Sequence, residues 1–359
     1  VATPTEPSAP LHGGGAARLQ RAWLTRGPLA CSLLPIAWLF GGLTALRKGL
    51  YRVGLFKAVR LPVPVVVVGN LIAGGAGKTP TVMAVAELLR AQGFTPGVIS
   101  RGYGRDGDGI VDVDISTDAR LAGDEPLLMR LRLCSPVVVG QDRVAAAQAL
   151  LQRHPTVDVI VSDDGLQHLR LGRDAQVLVF DGRGAGNRWL LPAGPLREPL
   201  PARAPERSVV LYNSPSPSTP LPGSLASTSL AGAVSLAQWW TGERASHEAL
   251  TALKNAPVLA AAGMAHPERF FAMLRADGLT VVPLPLPDHF DFADLPWPAA
   301  TPDVVITEKD AVKLSPDRTG TTRVWVVPLD FRLGAELEHA LLALLPPSSN
   351  RTTHGHPTP

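Results

Sequence analysis

Four consecutive valines, Val65 to Val68, run into Gly69-Asn70-Leu71-Ile72-Ala73-Gly74-Gly75-Ala76-Gly77-Lys78-Thr79-Pro80-Thr81, and a helical pattern follows from Val82 to Gln92. β-Branched residues feeding a glycine-rich turn closed by Lys-Thr predict a strand, a phosphate-binding loop and a helix. Glycines are needed there because the backbone N–H groups must turn inward around phosphate oxygens, and a Cβ would obstruct both the turn and the approach. Ala73, Gly74, Gly75, Ala76, Gly77, Lys78, Thr79 and Pro80 are the expected nucleotide cradle. Lys78 would reach the outer phosphates and the Thr79 hydroxyl a magnesium ion. The G-x-x-x-x-G-K-[ST] pattern places its first glycine at position 72, where this chain carries Ile72. Gly74 and Gly75 can supply the missing flexibility.

Strands alternate with helices downstream, which predicts an α/β fold: a P-loop NTPase-like, mostly parallel sheet with helices on both faces, plus a smaller α/β C-terminal domain. The 359 residues suffice for both. The expected layout is a mobile tail (1–28), an N-terminal membrane-associated helical segment (29–62), a P-loop core (63–213), a Pro- and Ser-rich linker (214–230), the smaller domain (231–346) and a disordered tail (347–359). Two cysteines, Cys31 and Cys134, are too few for a disulfide framework or a metal cluster and suit a reducing compartment. A net charge of +3, with no dense basic run, excludes nucleic acid as the expected partner. No obligate protein partner is evident.

Leu29 to Leu46 carries no charge, a length at the border of what spans a bilayer, but Pro35, Gly41 and Gly42 interrupt it. Leu43, Leu46, Leu50 and Val53 recur at helical spacing opposite Arg47, Lys48 and Arg52, the pattern of a helix lying on an anionic membrane surface. A core helix with a solvated basic face is the alternative. Further on, a strand over Pro96 to Ser100 runs into Arg101-Gly102-Tyr103-Gly104-Arg105, a basic loop at the strand end where an anionic ligand would sit. Gly123-Asp124-Glu125-Pro126 opens a helix, where Asp124 could cap and Glu125 could face the helix dipole. A strand from Val157 to Ser162 closes in Asp163 and Asp164, where P-loop folds keep a magnesium-ordering carboxylate.

In order along the chain, these segments resemble the tetraacyldisaccharide 4'-kinase family of lipid A synthesis. The matching pieces are the P-loop stretch, Arg101-Gly102-Tyr103-Gly104-Arg105, Gly123-Asp124-Glu125-Pro126, Asp163-Asp164-Gly165-Leu166-Gln167-His168, Leu191-Pro192-Ala193-Gly194-Pro195-Leu196-Arg197-Glu198-Pro199, Pro287-Asp288-His289-Phe290 and Thr307-Glu308-Lys309-Asp310. The family tolerates a non-glycine where Ile72 stands, whereas Ala265-His266 replaces an expected glycine-asparagine pair.

The resemblance implies phosphoryl transfer from ATP, with Mg2+, to the 4'-hydroxyl of a tetraacylated glucosamine disaccharide 1-phosphate. The product would be lipid IVA, made at the cytoplasmic face of the inner membrane. It implies Asp124 as base and His289 as its partner, brought from the smaller domain by closure over ATP. Arg143 and Arg197 are candidates to stabilise the transferring phosphoryl group, Arg101, Tyr103 and Arg105 to bind the head group, and Thr79, Glu125, Asp163 and Asp164 to position magnesium. The competing reading is a switch-type P-loop ATPase or GTPase acting on a protein partner. Against it, the signature lysine of one such group would fall at Ala73, and no guanine-reading Asn-Lys-x-Asp motif occurs.

Overall fold

The computed structural model describes residues 14–347, so the expected C-terminal tail lies almost wholly outside the described residues, whereas of the expected N-terminal tail only 1–13 does. The rest of that stretch holds a helix and is tied to the 187–192 loop by Trp23 Nε1 donating to Pro192 O and Arg26 Nε to Asn187 O, contrary to the expected mobile tail. Helices α1 (Gly14–Ala22), α2 (Pro28–Ser32) and α3 (Leu34–Arg52) precede the first strand. The uncharged stretch is thus split at Leu33, with Pro35 in the first turn of α3, the position a helix tolerates proline best. No helix among the described residues is long and apolar enough to cross a membrane. On α3, Ile36, Trp38, Leu39, Leu43 and Leu46 remain exposed.

The main sheet is built from β1 (Val65–Gly69), β2 (Pro96–Ser100), β3 (Val111–Val113), β4 (Val137–Val139), β5 (Val159–Asp163), β6 (Ala175–Asp181), β7 (Ser208–Asn213) and β8 (Ser224–Leu225). Their order is β3-β4-β2-β5-β1-β6-β7-β8, and only β3 runs antiparallel to its neighbour. Near-continuous valine and isoleucine in β1, β4 and β5 fits strands covered on both faces, and all three are buried throughout. The helices that supply the cover include α4 (Lys78–Ala91), α6 (Asp124–Leu133) and α7 (Arg143–Arg153), with the short α5 (Ala119–Ala122) before α6. Register places Val68 beside Asp163 and Ile99 beside Ser162, so β1, β2 and β5 end along one edge. In open α/β sheets that edge is where ligands bind.

The stretch 214–230, expected as a linker, is packed and partly paired. β8 extends the main sheet, and β9 (Ser227–Leu230) pairs with a later strand, β15 (Leu329–Arg332). Leu221 is buried, and the Tyr212 hydroxyl lies 2.6 Å from both Leu221 O and Thr219 Oγ1. Proline and serine composition concealed the few apolar anchors that hold this segment down. A smaller sheet follows, ordered β10 (Val234–Ser235), β14 (Arg323–Val326), β13 (Asp303–Ile306), β11 (Val258–Ala262) and β12 (Val281–Pro285). Helices α8 (Leu236–Trp240), α9 (His247–Ala252), α10 (Pro267–Ala276), α11 (Glu308–Ala311) and α12 (Ala335–Leu342) accompany it. One apolar cluster runs from the main sheet into this lobe, joining Leu127 and Met129 of α6 with Phe292, Ile306 and Leu314.

The packing of 214–223 yields a direct expectation. Tyr212→Phe removes one hydroxyl from two partners in a closed environment and should lower the unfolding free energy by about 1–2 kcal/mol in urea denaturation. An unchanged midpoint would mean the segment is held by nothing that Tyr212 contributes.

Candidate active site

The glycine-rich turn between β1 and α4 is braced from three sides. Gly74 and Gly77 adopt φ +93° and +83°, and at Gly77 a Cβ would also collide with the Asn213 amide. Asn70, fully buried, donates to Gly74 O at 2.9 Å and accepts from Lys78 Nζ at 3.3 Å. Arg183, held by Asp181 at 2.7 Å, donates to Gly75 O at 2.7 Å. Ile72 explains its own departure from the glycine pattern: it is buried and forms a bridge with Leu196, while Ala73 N donates to Pro195 O and Arg197 N to Leu71 O. A side chain is wanted there because the position is a rung against the 191–199 loop.

Carboxylates meet this cradle from two elements. Asp164, at φ 48°, receives Lys78 at 3.1 Å and Arg197 at 2.9 and 3.0 Å. Burial acts upward on its carboxyl, but Lys78 and Arg197 outweigh it and hold the group below the usual carboxylate range. Asp163 differs. Burial pushes it up to about 6, with the Glu125 charge adding to the effect. Ser100 Oγ donates to its Oδ2 at 2.8 Å, while its buried Oδ1 has no protein partner. Thr79 Oγ1 donates to Glu125 Oε2 at 2.9 Å. Among the described residues no group of three or more histidine, cysteine or carboxylate side chains forms a ready-made metal cage. Magnesium needs none, since it takes one or two carboxylates with water and phosphate oxygens. The orphaned Asp163 oxygen and the Thr79–Glu125 pair fit that requirement, whereas Asp164 is already spent on two cations.

Asp124 is the first residue of α6, whose N-cap is Gly123 at φ 89°, so the capping reading fails and the side chain is free for other work. His289 Nδ1 lies 2.9 Å from Asp124 Oδ2, and because a carboxylate only accepts, Nδ1 carries the proton. His289 sits at φ 60°, a strained conformation that the surrounding loop must enforce. Burial acts upward on Asp124, but the His289 hydrogen bond and the Lys313 charge prevail and lower its proton affinity. The pair is formed across the two lobes, Asp124 coming from α6 and His289 from the 287–290 loop of the smaller lobe.

The basic loop lines a cleft of about 230 Å³ with Arg101, Tyr103, Arg105 and Gln141. The Tyr103 ring, largely exposed, stands 6.2 Å from the His289 ring. Arg105 is spent on its own loop, donating to Gly109 O and Leu121 O. Arg143 is buried and donates to Gly140 O and Gln141 O, its Nε unpartnered, while Arg197 spends its NH1 group on Asp164 and Gln167. Arg197 is thus committed to Asp164, whereas Arg143 keeps an unpartnered Nε. Sequence reasoning missed Arg183, Asn70's bracing role, Lys309 and Lys313. The available signals were that Lys309 stands in the matching piece Thr307-Glu308-Lys309-Asp310 and that Lys313 follows Asp310 by three residues, on the same helical face.

A model of the tetraacyldisaccharide-1-P 4'-kinase family matches residues 29–346. A tetraacyldisaccharide 4'-kinase of Methylibium petroleiphilum is 56% identical over 351 residues, covering 96% of this chain and 98% of that protein. One from Leptothrix cholodnii is 54% identical over 335 residues, 92% and 96% of the respective chains. Among solved structures, LpxK from Aquifex aeolicus in complex with ATP superposes with a TM-score of 0.74 at 28% identity, covering 88% of this chain and 99% of that one.

The buried Asp163 carboxyl has a signed consequence. With a folded value near 6 against an unshifted 3.8, it favours the protonated form in the fold, so stability falls as pH rises through that interval. Asp163→Asn should therefore raise the melting temperature of the metal-free protein at about pH 7.5, by the equivalent of on the order of 1–2 kcal/mol. The gain should shrink on acidification towards about pH 5. A variant less stable than its parent at neutral pH would contradict the buried-charge account.

Proposed function

The chain belongs to the tetraacyldisaccharide-1-P 4'-kinase family, and on that footing we propose how its own residues move the γ-phosphoryl group of ATP to the 4'-hydroxyl of a tetraacylated glucosamine disaccharide 1-phosphate. The observation that carries the mechanism is the Asp124–His289 contact, made one residue from the Glu125–Thr79 contact at the head of the cradle. Asp124 accepts the proton of the 4'-hydroxyl as the oxygen attacks in line. The new bond to the γ-phosphorus forms while the bond to the β-phosphate oxygen breaks, and lipid IVA and ADP leave. His289 holds Asp124 in place and low in proton affinity until attack begins.

The backbone N–H groups of residues 74–78 and the Lys78 ammonium hold the phosphates, the Ala73 N–H being taken by Pro195 O. Thr79 and Asp163, with Glu125, would hold magnesium, which when bound neutralises charge on the β- and γ-oxygens. Arg101 and Tyr103 receive the acceptor head group, Tyr103 from beside His289. Arg143 and Arg197 act on the transferring group through the field of the site, Arg197 by fixing Asp164. The acyl chains require an enzyme seated at a bilayer, and the exposed apolar face of α3 with Arg47 and Arg52 beside it supports seating at the anionic cytoplasmic surface of the inner membrane.

Incubation with γ-labelled ATP and the disaccharide lipid should give labelled lipid; hydrolysis of ATP with no lipid labelling would overturn the reading. Asp124→Asn should cut turnover by about 10²–10⁴-fold and His289→Ala by about 10–100-fold, with ATP affinity changed less than about threefold in either. Turnover near the parent value in Asp124→Asn removes it as base. For the membrane seat, combined Trp38→Glu, Leu39→Glu and Leu43→Glu should abolish cosedimentation with phosphatidylglycerol vesicles at unchanged melting temperature. Retained binding would place the membrane contact elsewhere.

A further inference from the structure

Lys313 is a charge that the mechanism above does not yet use, although its ammonium lies 3.6 Å from Asp124 Oδ2. Its side chain is 6% exposed, a burial that lysine tolerates only when its charge is matched. Asp310, wholly buried one turn back, supplies a match at 3.4 Å. That carboxylate is itself immobilised, accepting from Gly263 N at 3.1 and 3.2 Å and from the Thr307 hydroxyl at 2.7 Å. The Phe292 ring lies 5.5 Å from the ammonium and closes another side. The lysine therefore has a fixed place. Lys309 is no equivalent: it reaches Asp288 at 2.9 Å and Glu125 only at 3.9 Å.

His289 Nδ1 and Lys313 Nζ converge on the same oxygen of Asp124, Oδ2, and among the described residues no hydrogen bond engages Oδ1. A carboxylate gripped at one oxygen from two directions cannot rotate without giving up both contacts. We propose that Lys313 is a positioning residue which, with His289, pins Oδ2 and so presents Oδ1 to the acceptor hydroxyl. The inference rests on Asp124 being the base. It makes the smaller lobe responsible for aiming a group that the larger lobe supplies.

Lys313→Met should lower kcat by about 30-fold while the Kd for ATP moves less than about twofold, because a misaimed base costs rate rather than donor binding. This change also strands the buried Asp310 carboxylate and threatens the fold. The double variant Lys313→Met/Asp310→Asn removes both charges; it should melt near the parent temperature and keep the loss in kcat. Recovery of kcat to within about threefold of the parent in the double variant would show that the lysine only neutralises Asp310, and would overturn the inference. Placed on Asp124→Asn, Lys313→Met should cost less than about twofold further, whereas a full multiplicative loss also overturns it. The two layers separate cleanly. Parental turnover in Asp124→Asn sinks the base assignment, while an inactive Asp124→Asn beside a fully active double variant sinks the Lys313 inference alone.

Discussion

Parallel strands can end together, and the site in this chain depends on their doing so. Gly69, Ser100 and Asp163 close three neighbouring strands along one edge, so the glycine turn, the basic loop and the acidic pair emerge side by side from segments far apart in the chain. The edge carries a high density of charge for a largely desolvated place. It is stable because each charge is answered: Lys78 and Arg197 by Asp164, Arg183 by Asp181, Lys313 by Asp310 and Asp124. Breaking one partner of such a set costs more than removing both, since the survivor is left buried and unmatched. Asp163 and Arg143 are the exceptions: the Asp163 carboxyl resists ionisation, and burial lowers the proton affinity of the Arg143 guanidinium.

The placement of base and partner shows how the two lobes divide their work. α6 offers Asp124 and Glu125 at its first turn, where the helix dipole favours negative charge, and the smaller lobe faces them with His289, Lys309 and Lys313. Arg132, further along α6, reaches Glu308, which also accepts from Trp239 Nε1. The interface is thus complementary in charge along its length, with the acid of the larger lobe meeting the bases of the smaller at the reacting end and the pattern inverted at the far end.

Much of the fold was legible because hydrophobic runs and glycine turns report local structure. The strand at Pro96–Ser100 falls where the pattern predicts it, and the one expected over Val157–Ser162 runs from Val159 to Asp163. What was hidden is what depends on contact across the fold. Nothing in spacing alone brings Asp124 to His289; only resemblance did. The bracing of the cradle by Arg183 and Asn213, and the diversion of Arg105 and Arg197 into local bonds, follow from tertiary approach that no periodicity records. The stretch 214–230 misled for a different reason: its composition reads as solvent-facing, yet Leu221 and Leu230 anchor it.

The apolar cluster shared by the two sheets has a practical meaning. Leu127 and Met129 pack in the same body as Phe292, Ile306 and Leu314, so a cut between the lobes would lay bare a greasy wound on both halves. A gene fragment ending near Asn213 would therefore carry the apolar seam of α6 uncovered, a surface that invites clumping with its own copies.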